Sequence, residues 1–322
     1  MQADLLLPLF SRKPRRYQAI YYILTGKRTV SNLLAGLTYD LLPYFHFYPK
    51  LPQADYQAAL QQLMSQQYLK VQSETKTIRL TALGQLAQVQ LLQRQIWPQS
   101  YDYWRDGDWQ LQWERLLLSV QVISNYQHQQ RHYSPLATQP LVQAEIRQWF
   151  YRSGRRQQHQ FVKDLIATVI GLPKDLADLL ANSLRSNAYA GTSDFQLGLD
   201  LNLTADELSL KRIAALSQFM HAITFLPQQS PLRQVFPAAP SPLSRGAEHT
   251  YTLWQAGQPW STIVQNSYQK EGTLLEHLLE AAILVPDFNF ESLPLQQLIA
   301  VNPESYFAQR LSEIQAQRRK ND

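Results

Sequence analysis

The sequence contains no cysteine, and this absence limits the chemistry that the chain can perform. Disulfides, thiolate metal sites and cysteine nucleophiles are all excluded. A chain without thiols suits a reducing compartment, so the cytoplasm is the expected location. Charged residues are also scarce, at 17% of the chain against about 25% in average soluble proteins. Glutamine-rich runs at 127–130 and 157–160 supply polar surface instead.

Long hydrophobic runs are missing as well. No stretch approaches the ~20 apolar residues that a membrane-spanning helix needs. The short apolar run near the start precedes its basic cluster, which reverses the order of a secretory signal. We therefore expect a soluble protein without a membrane partner. The net charge of +5 permits binding to a polyanion without requiring it.

Catalytic signatures are absent too. The sequence has no GxxxxGK[ST] phosphate loop, no GxGxxG and no HExxH, so the chain is not itself a helicase motor. His128 and His132 have the spacing of a two-histidine metal site, but no carboxylate lies near them in sequence. Asp102, Asp106 and Asp108 are typical of turns and helix N-termini. We expect no catalytic residue, no metal, no cofactor and no enzymatic activity.

The first 98 residues follow the element order of a winged helix. Apolar spacing predicts a helix that ends at Gly26, a second over 30–37 and a third over 52–64. Two alternating segments between 68 and 81 predict a β-hairpin. Residues 1–98 are therefore predicted to form a winged-helix-like domain.

In that fold the third helix enters a DNA groove, and the hairpin contacts the backbone beside it. Glutamine amides can pair with adenine edges, and cations bind phosphates. The predicted nucleic-acid contacts of this region are Arg15, Arg16, Gln53, Gln57, Gln61, Lys70, Lys76 and Arg79. The alternative is a winged helix that contacts only proteins, with its glutamines solvated.

Residues 99–236 are apolar at helical intervals throughout, which predicts an all-helical middle domain. Thr204 and Glu207 form a Thr-x-x-Glu capping box at the start of a long helix. The basic run 152–156 could lie along a phosphate backbone, although such runs more often end a solvated helix. Residues 237–248 are rich in Pro, Ala and Ser and are predicted to be a linker.

Residues 249–322 are predicted to form a trihelical helix-turn-helix domain, two short helices and a basic tail. Thr273 and Glu276 suggest a capping box for the third helix of the trio. Its outward side is predicted to carry Glu276, His277 and Glu280, and carboxylates near phosphates are unfavourable. The candidate contacts here are Gln269, Lys270 and His277.

This segment resembles the helicase-associated helix-turn-helix domain. The matching residues are Thr250, Leu253, Gly257, Ile263, Thr273, Leu274, His277 and Leu278. That domain occurs at the C-terminus of some RecQ-type DNA helicases and in the YpbB-like proteins, which are encoded beside such a helicase. The N-terminal hundred residues are also similar to YpbB-like proteins. Val264 and Tyr268 stand where the family usually has Ala and Arg.

The resemblance implies a role in genome maintenance beside a RecQ-type helicase. The leading hypothesis is a non-enzymatic accessory protein that binds duplex or single-stranded DNA weakly and acts in repair or recombination. One alternative is a protein-interaction adaptor that makes no DNA contact. Another is a helix-turn-helix transcriptional regulator, which predicts a preferred duplex sequence and a dimer. The predicted fold class is mainly α and multi-domain, with a small β-hairpin.

Overall fold

The computed structural model describes residues 2–130, 132–187, 189–237, 239 and 241–321. The described chain is mainly helical and has one small three-stranded sheet, which confirms the predicted fold class at that level. None of its described helices combines the length and the apolar composition that crossing a bilayer would take.

The elements follow one another with short connections. The α-helices are α1 (Tyr17–Thr25), α2 (Val30–Tyr39), α3 (Gln53–Ser65), α4 (Ala82–Gln93), α5 (Tyr103–Asp106), α6 (Trp109–Gln127), α7 (Pro140–Arg152), α8 (Arg155–Ile170), α9 (Lys174–Ser183), α10 (Asp194–Leu201), α11 (Ala205–Thr224), α12 (Pro231–Val235), α13 (Arg245–Gln255), α14 (Trp260–Gln265), α15 (Glu271–Leu284), α16 (Leu293–Val301) and α17 (Tyr306–Asn321). The strands are β1 (Arg15–Arg16), β2 (Leu69–Gln72) and β3 (Thr77–Leu80), and 3-10 helices cover Ala3–Leu9 and Leu42–Tyr44.

The chain folds into two compact units, each built from two segments. Unit 1 comprises Met1–Arg15 and Leu51–Ala238, and unit 2 comprises Arg16–Lys50 and Ala239–Asp322. The predicted N-terminal domain is divided between them, because α1 and α2 belong to unit 2 while α3 and the hairpin belong to unit 1. Six consecutive residues of α2, 32–37, are buried. A helix buried on every side needs several partners, and α2 packs against α1, α15 and α17.

The smaller part of unit 1 packs around the first 3-10 helix. This helix carries the buried Leu5, Leu6, Leu7 and Leu9 and packs against α3 and α4. Strands β2 and β3 pair antiparallel, and the sheet order is β1-β3-β2. Thr81 caps α4 by accepting a 3.0 Å hydrogen bond from the Gly84 N–H. The predicted hairpin is therefore present, and α4 follows it directly.

The larger part of unit 1 consists of the helices from α5 to α12. Its core unites side chains such as Trp149 on α7, Phe161 on α8 and Phe219 on α11 with Phe236, which directly follows α12. The capping box predicted for α11 is present: Thr204 Oγ1 accepts from the Glu207 N–H, and Glu207 accepts from the Thr204 N–H.

Unit 2 joins α1 and α2 to the five C-terminal helices. As predicted, α1 ends at Gly26, whose φ of 77° is left-handed and favours glycine. Helix α13 packs against α14 and α15, and α15 packs against α17. Helix α17 continues through Arg318, Arg319 and Lys320, so the predicted basic tail is the last turn of a helix. Cations at a helix C-terminus interact favourably with the helix dipole.

Candidate nucleic-acid interface

One face of α3 is lined with exposed amides. Helix α3 buries Tyr56 and Leu60 on its inner side, and this fixes the opposite side toward solvent. Gln53, Gln57 and Gln61 follow one another at four-residue intervals and are all exposed. The sequence prediction of an exposed glutamine row on this helix is thus correct, and each amide offers two donors and one acceptor to a partner.

The hairpin beyond α3 presents three exposed cations. Lys70 on β2 lies directly opposite Arg79 on β3, and Lys76 lies in the connecting turn. None of the three pairs with a carboxylate among the residues that the structure describes. Like charges directly opposite in an antiparallel pair repel each other, and a bound anion would relieve that repulsion. This geometry suits a phosphate.

The basic pair at β1 is less available. The Arg15 guanidinium is partly buried and donates from Nη1 to the Leu9 carbonyl. Arg16 is exposed, and its backbone N–H donates to the Tyr39 hydroxyl at 3.0 Å. Of the two, Arg16 is better placed to meet a phosphate.

The turn before α15 exposes three consecutive side chains. Tyr268 is fully exposed, and Gln269 and Lys270 are exposed beside it. Helix α15 begins at Glu271, three residues earlier than the predicted capping box implies, with Lys270 as its cap residue. Glu271 is held by the Trp260 indole, whose Nε1 donates to its carboxylate at 2.8 Å. Sequence reasoning missed Tyr268 as a surface residue.

His277 faces the interior of unit 2, which corrects the predicted outward orientation. Its Nδ1 forms a 2.8 Å hydrogen bond with the hydroxyl of the buried Thr250. Burial lowers the pKa of His277, while the nearby Glu280 and Glu276 partly counteract that shift. The histidine is therefore occupied by an internal partner, which makes it a poor candidate for a nucleic-acid contact.

Glu280 is also buried, although the sequence predicted it to face outward. Its carboxylate lies 3.0 Å from the Arg28 guanidinium and accepts a 2.6 Å hydrogen bond from the Ser244 N–H. Of the three residues predicted on the outward side of α15, only Glu276 is exposed. The acidic character of this face is accordingly smaller than the sequence suggests.

The predicted contacts are divided between the two units. Unit 1 carries Arg15, Gln53, Gln57, Gln61, Lys70, Lys76 and Arg79, and unit 2 carries Arg16, Gln269, Lys270 and His277. Within unit 1, α3 contacts β2, so the amide row and the hairpin cations belong to one packed substructure.

The aspartates before α6 have structural roles. Asp102 and Asp108 cap α5 and α6. Asp106 is buried and accepts hydrogen bonds from Arg105 and from the Ser217 hydroxyl at 2.8 Å. Across the described ranges, no group of three or more His, Asp and Glu side chains has the arrangement of a metal site.

Comparison with known proteins gives one informative match. No protein-family model matches the chain, and no solved structure matches it. The chain is similar to protein YpbB of Bacillus subtilis strain 168, with 23% identity over 283 residues that cover 85% of this chain and 79% of that protein. The similarity therefore extends over most of both chains and supports the YpbB-like resemblance.

Proposed function

We propose that this protein is a cytoplasmic, non-enzymatic accessory factor that contacts nucleic acid. We further propose that it acts beside a RecQ-type helicase in DNA repair or recombination. The observation that carries the first part is the hairpin, where Lys70 and Arg79 stand opposite each other without a carboxylate partner among the described residues.

The amide row of α3 adds a second supporting feature. Gln53, Gln57 and Gln61 are exposed on the helix that leads into the hairpin. Glutamine amides can bond base edges or phosphates, whereas a helix without cations attracts DNA weakly by itself. We infer that the hairpin contributes most of the affinity and that the α3 row contributes contacts near it.

The link to a helicase rests on similarity. Residues 248–284 resemble the helicase-associated helix-turn-helix domain, and the similarity to protein YpbB spans 85% of the chain. The segment that carries this resemblance contains three consecutive helices, α13, α14 and α15. In this proposal the exposed turn 268–270 is the part of unit 2 that meets a partner.

A titration with labelled duplex DNA across a salt series tests the hairpin. Each phosphate contact contributes about −0.9 to the slope of log affinity against log salt, so the three hairpin cations should contribute about −2.7 to that slope. The variant Lys70→Gln/Arg79→Gln should flatten the slope by about 1.8 and weaken binding at every salt concentration.

Arg185→Gln is the matched control, because Arg185 is exposed and makes no ion pair within the described ranges. It should retain the wild-type slope. A wild-type protein whose affinity does not respond to salt, or one that binds no DNA at micromolar concentration, would defeat the proposal of direct contact.

A protein-interaction adaptor is the second candidate, and the fully exposed Tyr268 and the exposed Glu276 favour it. Aromatic side chains are enriched at protein interfaces. Co-purification with the helicase that survives nuclease treatment and is lost in Tyr268→Ala would favour the adaptor. Loss of co-purification on nuclease treatment would favour association through nucleic acid.

A further inference from the structure

A large groove opens among the helices of unit 1, away from the hairpin in sequence. It encloses about 1320 Å³ and is lined by α6, α7, α8 and the loop 132–139. Its lining combines aromatic rings, cations and glutamine amides, and none of the described lining residues is acidic. We call this feature the α6–α8 groove.

Aromatic side chains form one part of the groove. Tyr126 and Phe150 meet edge to face with ring centroids 5.2 Å apart, and Tyr151 follows Phe150 at 6.2 Å. Tyr151 is 80% exposed, and Tyr126 and Tyr133 are exposed as well. A cluster of exposed aromatic rings marks an interaction surface, and these rings suit a partner that presents flat faces for stacking.

Cations form the other part. Arg147, Arg155 and Lys163 line the groove and are exposed. None of them makes an ion pair with a described carboxylate. A cleft lined by charges of one sign concentrates the electrostatic field, so the groove attracts anions.

The carboxylates nearest in sequence are already occupied. Glu145 on α7 precedes the groove residue Ile146, and its carboxylate is 2.6 Å from Nη2 of the buried Arg115. Asp164 on α8 accepts hydrogen bonds from Gln160 and from the Ser230 hydroxyl. These two acids bind other partners, and neither forms an ion pair with a described cation of the groove.

The loop that carries Tyr133 is held in place from α6. Gln121 donates to the Ser134 carbonyl at 3.0 Å and accepts from the Leu136 N–H at 2.9 Å. Glu114 accepts from the N–H and the hydroxyl of Thr138. Tyr133 and Arg147 both line the groove; burial raises the pKa of Tyr133, and the charge of Arg147 partly offsets that rise. A preformed surface loses less entropy on binding.

From these observations we propose that the α6–α8 groove binds single-stranded nucleic acid. The cations would meet successive phosphates, and the tyrosines would stack on unpaired bases. Sequence-independent single-strand binding combines a basic track with aromatic stacking platforms in this way. A base-paired duplex keeps its bases inside the helix and could use only the cations. The inference deepens the proposed function, since it assigns a strand type and a site separate from the hairpin.

The test is fluorescence anisotropy of the full chain with labelled oligothymidylate about 12 nucleotides long, within the range that single-strand-binding modules cover. The probe set also includes the matching oligouridylate, a duplex of the same length and an abasic strand of equal charge. Oligothymidylate should bind at least about fivefold more tightly than the abasic strand, because one stacked base contributes roughly that factor or more. Comparing oligothymidylate with oligouridylate shows whether the groove prefers DNA or RNA.

Tyr151→Ala should weaken oligothymidylate binding about fivefold or more and leave binding of the abasic strand unchanged. Arg147→Gln/Arg155→Gln should weaken the binding of both strands. Because each phosphate contact on a single strand contributes about 0.7 to the salt slope, losing two should reduce the slope by about 1.4. Phe195→Ala is the matched aromatic control, because Phe195 is 77% exposed on α10 outside the groove, and Arg185→Gln is the cation control. Both controls should bind as the wild type does.

Three results would overturn the groove assignment. The first is equal affinity for the abasic strand and oligothymidylate, which indicates an anion site without base stacking. The second is that both groove variants, Tyr151→Ala and Arg147→Gln/Arg155→Gln, bind as the wild type does, while the hairpin variant Lys70→Gln/Arg79→Gln loses binding. That result would place the binding at the hairpin and leave the proposed function intact. The third is absence of binding to every probe, which defeats the groove and the proposed nucleic-acid contact together.

Discussion

His277 makes the stability of unit 2 depend on pH. Its ring is hydrogen-bonded to Thr250, and burial holds its pKa below the ordinary value of 6.5. Below that value the unfolded chain takes up the proton more readily than the folded chain. Stability is therefore lost as the pH falls below about 6.5 and is fully present above it.

His277→Gln removes that titration. Urea unfolding from about pH 5 to pH 7 should show a free energy of unfolding that rises with pH in the wild type and less steeply in the variant. His249→Gln is the control, because His249 is exposed on the neighbouring α13. Identical pH dependence in wild type and His277→Gln would show that this ring does not titrate differently in the folded state.

At the scale of elements, the start of α4 is constrained by the chain that precedes the hairpin. A Cβ on Gly84 would lie 2.1 Å from the Tyr68 carbonyl oxygen, a backbone atom that cannot move aside alone. Gly84→Ala should lower the free energy of unfolding by about 1–3 kcal/mol, the usual cost of overpacking. It should also shift α4 away from the hairpin.

Gly272→Ala is the matched substitution in α15. An added Cβ there meets nothing within 4 Å, so the exchange should be neutral or stabilising by up to about 1 kcal/mol. Thermal or urea unfolding of both variants measures the difference. Equal stability of the two would mean that the contact at Tyr68 is relieved without cost.

The elements themselves were largely predictable from local patterns. The capping box of Thr204 and Glu207 and the end of α1 at Gly26 depend on residues close in sequence, and both are present. The capping box predicted for Thr273 is absent, because α15 already begins at Glu271. The Glu271 carboxylate accepts a hydrogen bond from the Trp260 indole. That partner is distant in sequence and leaves no periodic signal.

The orientation of α15 was not predictable for a similar reason. The helix is buried continuously from 278 to 284, so apolar spacing does not distinguish its inner side from its outer side. Glu280 is accommodated inside because Arg28, 252 residues away, supplies its ion pair. The α6–α8 groove escaped prediction because its tyrosines and cations come from three helices and a loop.

At the scale of the whole molecule, the chain builds two units from alternating segments. It leaves unit 1 after Arg15, forms α1 and α2 within unit 2, and returns to unit 1 at Leu51. Helical periodicity predicts that each helix has an apolar face, but it does not predict which other helix covers that face. The sequence therefore predicted the helices and strands of the first hundred residues but not their division between two units.

This division has a consequence for experiments on function. Removing residues 239–322 would take α15 and α17 away from α2 and expose its buried side chains. If such a truncation lost binding to DNA or to a partner, the loss would report unfolding of unit 2 and not removal of a contact surface. Point variants on exposed residues are the informative changes, and the hairpin and the groove both offer them.

The measurement that tests the central claim most directly is photo-cross-linking of the full chain to a duplex with a single-stranded tail, followed by peptide mapping. Halogenated uracil in the tail should form adducts on peptides that contain Tyr126, Tyr133 or Tyr151. Halogenated uracil in the duplex should mark the hairpin segment 69–80. Salt that weakens binding should reduce both sets. Adducts confined to other surfaces, or none at a protein concentration that saturates the anisotropy, would contradict this account.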